Sequence, residues 1–286
     1  MMGGPEPSDL ADFWHEHFER SRADQFEELS EAVDLFRERH EASPVDANNL
    51  WFCQTFSSIL TGYLQAFTDI REKRHYRAWC GLERVEIDIE NLIRNPFVPD
   101  LLPVARKVQT LVTAWQAAFP YHVFFSPEII VKAEICSICG LDFTPWSDCG
   151  HRKGKVYEGK LCFGIVQDME PKGVSLVSDP VQKFSVPFIS DEFGNKIDQY
   201  DYAAVDFISD RLVSPMDGWK VEWSTTRHPH HFFTESAEDG PCPCGNGRTY
   251  SLCCLPTPGV EKPHMQVQFD RMRAEPQSFA YAGYPA

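Results

Sequence analysis

Four cysteines in the fourteen residues PCPCGNGRTYSLCC, positions 241–254, restrict what this chain can fold into more than any other stretch. Cys242 and Cys244 stand one residue apart, and Cys253 and Cys254 follow as neighbours after eight more. Zinc takes four ligands near the corners of a tetrahedron, with thiolates at about 2.3 Å. Pro243 fixes one backbone angle, and Gly245 and Gly247 accept the positive φ that a tight reversal needs. RTYSL has the length of a short helical turn that returns the second pair to the first. A disulfide between adjacent cysteines is strained, and a catalytic thiol needs a positioned base and an open side for substrate. The pattern predicts a closed structural site with Cys242, Cys244, Cys253 and Cys254 as ligands; four thiolates do not by themselves separate zinc from iron, and zinc is the default metal for this spacing. His264, or a histidine of RHPHHFF at 227–233, is a substitute ligand, although loop or core roles suit these residues better.

A second group, CSICGLDFTPWSDCGH, sets Cys136, Cys139, Cys149 and His151 in the spacing C-x2-C-x9-C-x-H. A strand ending in C-x-x-C-G forms a zinc-knuckle turn, because the glycine lets backbone amides face the first two sulfurs. Pro145 bends the following loop, and Trp146 is placed to pack over the site. Cys162 is the reserve ligand should His151 point away. Three thiolates and an imidazole make a closed, structural site; with three protein ligands only, water would take the fourth position and metal-assisted hydrolysis would open. The deaminase pairing of H-x-E with P-C-x-x-C is absent, as is H-E-x-x-H. The expected cofactor is zinc, two ions per chain.

The stretch at 240–254 resembles the SEC-C motif, a small zinc-binding module found at the C-terminus of the export ATPase SecA and appended to many other bacterial proteins. The C-x-C spacing, the CPCGNG turn, the tyrosine and the paired cysteines carry the resemblance. It implies the same four ligands, Cys242, Cys244, Cys253 and Cys254, and a binding accessory rather than a translocase. In SecA the module contacts the chaperone SecB and the ribosome through a lysine-rich surface. Here Arg248, Thr249, Ser251 and Leu252 occupy that turn, so a single base remains and SecB is not the implied partner. No G-x-x-x-x-G-K-[ST] phosphate loop accompanies the motif. The segment from the knuckle through GVSLVSDP also resembles zinc-knuckle segments of prophage-type proteins, with no function implied.

Around these sites the chain reads as α+β. Apolar residues at three- and four-residue steps mark helices: Leu10, Phe13, Trp14 and Phe18 with Phe26, Leu29, Val33 and Phe36; then Phe52 to Phe67; then Tyr76 to Leu92, ended by RNPFVPD; then Leu101 to Trp115. They predict an N-terminal helical bundle over 8–119. Strand candidates follow in EIIVKAEI, KLCFGIV, GVSLVSDP, KFSVPFI, YAAVDFI and WKVEW, which predict a β-rich zinc-knuckle domain over 120–235. A small zinc module at 236–256 and an extension at 257–286, containing the strand candidate PHMQVQF and a partly flexible tail, complete the expected layout. Ten cysteines, most of them in two tight groups, fit metal binding in a reducing compartment. No basic-then-apolar leader or membrane-length run is seen, so the expected location is the cytoplasm, without a membrane partner.

No catalytic residue is assigned. The formal charge of −15 disfavours general nucleic-acid affinity. Asp201, Asp206, Asp217 and Glu222 could imitate a metal-dependent nuclease only if they converge, and REKRH at 71–75 falls one residue short of the R-x4-6-H motif of helical ribonucleases, which favours a charged, exposed helix start. RHPHH reads as an exposed linker. The expectation is a non-enzymatic zinc-binding adaptor with an unidentified protein partner. The alternative is a nucleic-acid binding or processing protein, in a phage-related or defence setting, that uses the basic loop HRKGK after the first site.

Overall fold

The computed structural model describes residues 47–271. The first predicted helical stripe, at 10–36, lies outside them. Three long helices come first: α1 (Ala47–Arg71), α2 (His75–Arg94) and α3 (Leu102–Ala118), the last entered through a 3-10 turn, Pro99–Leu101. Their apolar stripes match the predicted ones, with Phe52, Phe56, Leu60 and Tyr63 of α1 buried against Leu82, Val85 and Ile89 of α2 and Val108 and Val112 of α3. Asn95 caps α2, its amide donating to Leu92, where Pro96 stops the helix.

Among the described residues the strands form two-stranded antiparallel ladders only. β1 (Phe124–Cys136) pairs with β4 (Gly164–Val177), and between them β2 (Val156–Tyr157) and β3 (Lys160–Leu161) make a small hairpin. β5 (Ile189–Ser190) and β6 (Lys196–Ile197) make another. α4 (Ala203–Arg211) follows, then β7 (Trp219–His228), which pairs with β8 (Val260–Phe269) in unbroken register from Trp219 opposite Phe269 to His228 opposite Val260. One core spans the helices and the first parts of these ladders: Trp115 sits edge-on to Phe67 at 6.2 Å and to Trp219 at 4.7 Å.

Several strand expectations are corrected. YAAVDFI is helical in α4, where Ala204, Val205 and Ile208 turn one buried face to the core and the Asp201 carboxylate accepts from the amide of Ala203 at the helix start. A short apolar run does not separate strand from helix by periodicity. KFSVPFI is not a ladder strand apart from Ile189: the Tyr76 hydroxyl donates to the Phe184 carbonyl at 2.7 Å and the Trp79 indole to that of Lys183 at 2.6 Å, so α2 uses the carbonyls a partner strand would take. KLCFGIV is split, with Cys162 between β3 and β4.

REKRH runs from the last residue of α1 through a turn to the first residue of α2, so a helix does start in it and Glu72 and Lys73 are exposed, with Lys73 at positive φ, but its ends are packed. Arg71 donates to the Leu212 carbonyl at 3.0 Å. His75 lies 2.8 Å from the Asp206 carboxylate and stacks on Tyr202 at 3.9 Å, which fastens the turn to α4. Among the described residues no helix is long and apolar enough to cross a membrane.

Candidate metal centres

The first centre forms where β1 ends. Cys136, Cys139, Cys149 and His151 bring one donor atom each to within 4.8 Å of one another, a grouping able to hold a metal ion. Gly140 reverses the knuckle at φ +73°, its amide donating to the Cys136 carbonyl, and the Ile138 amide points at the Cys136 sulfur from 3.4 Å. The Cys139 and Cys149 sulfurs are 3.6 Å apart, and Cys149 is 3.7 Å from Nδ1 of His151. With metal–sulfur bonds of about 2.3 Å, a regular tetrahedron has edges of about 3.8 Å. A disulfide would need about 2.0 Å. The spacing therefore fits four ligands around one ion and does not fit a bridge.

Cys162 is buried beside this group, its sulfur 3.8 Å from that of Cys136, also at tetrahedral edge length. The reserve ligand thus adjoins the site, while His151 stands within the group of four. Burial opposes ionisation of Cys136, but the amides of Cys139 and Ile138 and the neighbouring thiols of Cys149 and Cys139 outweigh it and bring its thiol down to about 6. Burial and the adjacent Cys136 push Cys162 up to about 11. Trp146 does not cover the site; it is 93 % exposed.

The helices hold this knuckle in place. The Asn95 side chain, buried at the end of α2, donates to the carbonyls of Asn91 and Gly154 at 2.8 Å and accepts from the amide of Val156. Asn48, at the start of α1, accepts from Gly159 at 2.8 Å. In the basic loop, Lys153 is paired with Glu134 at 2.6 Å and Lys155 donates to the Arg94 carbonyl at the end of α2, 2.7 Å away. Reading Asn95 only as a helix stop misses this role; the signal is a polar residue at a helix end facing a turn that sequence distance hides.

The second centre fills the connection between β7 and β8. Cys242, Cys244, Cys253 and Cys254 again bring their sulfurs to within 4.8 Å of one another. Gly245 and Gly247 take φ of +82° and +78°, the reversal expected of CPCGNG. Tyr250–Leu252 is a 3-10 turn, as RTYSL suggested. Cys244 and Cys253 are 3.6 Å apart, Cys253 and Cys254 3.8 Å, again at tetrahedral edge length. Burial opposes it, but the amide and thiol of Cys244, with the amide of Cys254, bring Cys242 down to about 7. Thiolate character is what a divalent metal requires.

RHPHH is exposed at Arg227, Pro229 and His231, as expected, but it is anchored rather than a free linker. Arg227 and His228 end β7, and His230 lies 2.6 Å from the Tyr250 hydroxyl and 2.8 Å from the Thr257 carbonyl, bracing the module from behind. His264 sits on β8 opposite Ser224, and neither it nor His230 belongs to a group of metal donors. Asn246 donates to the Cys253 sulfur from 2.9 Å. Outer-shell partners of this kind typically carry 10–100-fold in metal affinity. Asn246→Ala is expected to weaken zinc binding at this centre by roughly that factor while leaving the first centre unchanged, as measured by chelator competition.

The carboxylates suggested as a nuclease centre do not converge. Asp206 is engaged by His75 and Lys73, Asp217 by Arg271 and the amide of Ser214, and Glu222 by Lys220. Among the described residues, only the two groups named above bring three or more such donors together. The chain matches no family model, no curated protein and no solved structure.

Proposed function

We infer that this is a two-zinc, non-enzymatic interaction protein of bacterial cytoplasmic type, in which both ions hold shape and the surfaces they support bind a protein partner. The observation that carries the reading is the closure of both donor quartets. Each has four donors within 4.8 Å of one another and sulfur spacings at tetrahedral edge length, so neither offers water or substrate a position. The likeness of residues 240–254 to SEC-C supports a binding accessory. Separate structural partners for Asp206, Asp217 and Glu222 support the absence of a hydrolytic centre. The nucleic-acid alternative draws on HRKGK, and there Lys153 is paired with Glu134 and Lys155 is tied to a carbonyl at the end of α2, which commits two of its three cationic side chains to the fold.

Reduced, purified protein is expected to carry two equivalents of zinc by elemental analysis. It should capture a protein partner that the zinc-stripped chain does not, and bind short RNA and DNA without a steep salt dependence. Far fewer than two equivalents with the helical signal intact would overturn the structural-zinc reading. Salt-steep nucleic-acid binding, weakened by Arg152→Glu, would replace the adaptor reading with its alternative.

A further inference from the structure

The first centre has one donor more than zinc needs. A structural zinc site is closed by four ligands. Cys136, Cys139, Cys149 and His151 supply them, with donor atoms within 4.8 Å of one another. Cys162 is a fifth donor: its sulfur stands 3.8 Å from that of Cys136, comparable with the 3.6 Å between Cys139 and Cys149.

Cys162 and His151 are held in different ways. Cys162 is fixed by backbone. It is 1 % exposed, its amide donates to the Lys155 carbonyl and its carbonyl accepts from the Gly154 amide, both at 2.8 Å. Ser137, next to Cys136, ties down the same corner: its amide donates to the Phe163 carbonyl at 3.0 Å, and its hydroxyl accepts from the Phe163 amide at 2.9 Å. The end of the β1–β4 ladder therefore sets Cys136 and Cys162 side by side. His151 lies outside any helix or strand and is half-buried. Its ring meets Tyr157 edge-on at 4.6 Å, and the Tyr157 hydroxyl accepts from the Arg152 amide at 3.0 Å.

We propose that the first centre is a ligand-exchange site: Cys136, Cys139 and Cys149 keep the ion throughout, and the fourth position passes between His151 and Cys162. The proposal rests on the zinc reading above. With His151 bound, Cys162 stays a thiol placed to donate a weak S–H hydrogen bond to the Cys136 sulfur. With Cys162 bound, four thiolates hold the ion and the imidazole is free. The proton that leaves the Cys162 thiol goes to the freed imidazole, so the step needs no outside acid, base or oxidant, and the ion stays four-coordinate. The exchange gives the basic loop freedom at one end. His151 opens HRKGK, whereas Gly154 and Lys155 at its far end stay bonded to Cys162. A protein partner that engages the imidazole can then move the start of this loop without stripping the ion.

The test uses the full chain, loaded with zinc and, in parallel, with cobalt, whose thiolate charge-transfer absorption grows with the number of sulfur ligands. Metal content is read after challenge with a chelator that leaves the parent chain its two equivalents of zinc. His151→Ala is expected to keep both equivalents and, with cobalt, to gain charge-transfer absorption from a fourth thiolate at the first centre. His151→Asn should behave alike. Cys162→Ala alone is expected to keep both, with the cobalt spectrum of the parent. His151→Ala combined with Cys162→Ala should fall to one equivalent, that of the second centre, while the far-ultraviolet circular dichroism of the helices persists. One equivalent in both His151 variants, or two without the added absorption, would overturn the proposal and leave structural zinc standing. Loss of an ion from Cys162→Ala alone would also overturn it, by making Cys162 a permanent ligand, as would two equivalents in the double variant. A parent chain that never reaches two equivalents would remove the zinc reading and this proposal together.

Discussion

Replacing Cys253 with serine is expected to release one zinc ion and to melt residues 229–259 while the helices stay folded. The apolar cluster of this segment is Cys242, Tyr250 and Cys254, closed by Val260 at the start of β8, with Phe233 and Leu255 at its edge, and two of the four buried members are themselves candidate ligands. So small a core does not offset the backbone entropy of ordering the turn; metal binding, worth on the order of 10–16 kcal/mol in zinc-finger peptides, is what can. The boundary of the damage follows from the fold. The module is held between His228 and Val260, so loss of the ion should fray that end of the β7–β8 ladder, whereas Trp219 and Phe269 are anchored on the core. Amide hydrogen exchange should show protection lost across 229–259 and graded along β7 and β8. Protection lost equally in α1 and α2 would contradict separate support for the two regions.

Trp115→Ala is expected to be the most destabilising single change in the core. Trp115 is fully buried and bridges Phe67 of α1 to Trp219 at the start of β7, so it joins the helices to the ladder that carries the second centre. Truncating a buried tryptophan costs about 3–5 kcal/mol through lost burial and the cavity left behind. For a chain of this size that corresponds to a fall in Tm of roughly 6–20 °C. Differential scanning calorimetry on the zinc-loaded protein reads the shift, and elemental analysis should still return two equivalents of zinc below the transition. A fall of less than about 1 kcal/mol would mean that the site collapses around the deletion and that Trp115 does not join the two parts.

Much of this was legible in the residues. Helices α1, α2 and α3 are written in three- and four-residue apolar steps, because each is long enough for the 3.6-residue period to repeat several times. Both donor groups were legible too, since local spacing and the glycines at 140, 245 and 247 fix which sulfurs can meet. YAAVDFI was not: in so short a run the apolar positions of a strand and of a helix face overlap, and burial of Ala204, Val205 and Ile208 settled it.

By itself, then, the sequence determined the long helices and the two sets of metal donors, because both depend on neighbours within a turn or two of one another. Tertiary structure alone decided that the second module is inserted between β7 and β8, that Lys153 and Lys155 are committed to Glu134 and to the end of α2, and that the Cys162 sulfur comes within 3.8 Å of Cys136. Those outcomes rest on contacts between residues far apart in the chain. Only packing of the whole determines which distant polar groups meet, and no local pattern records it.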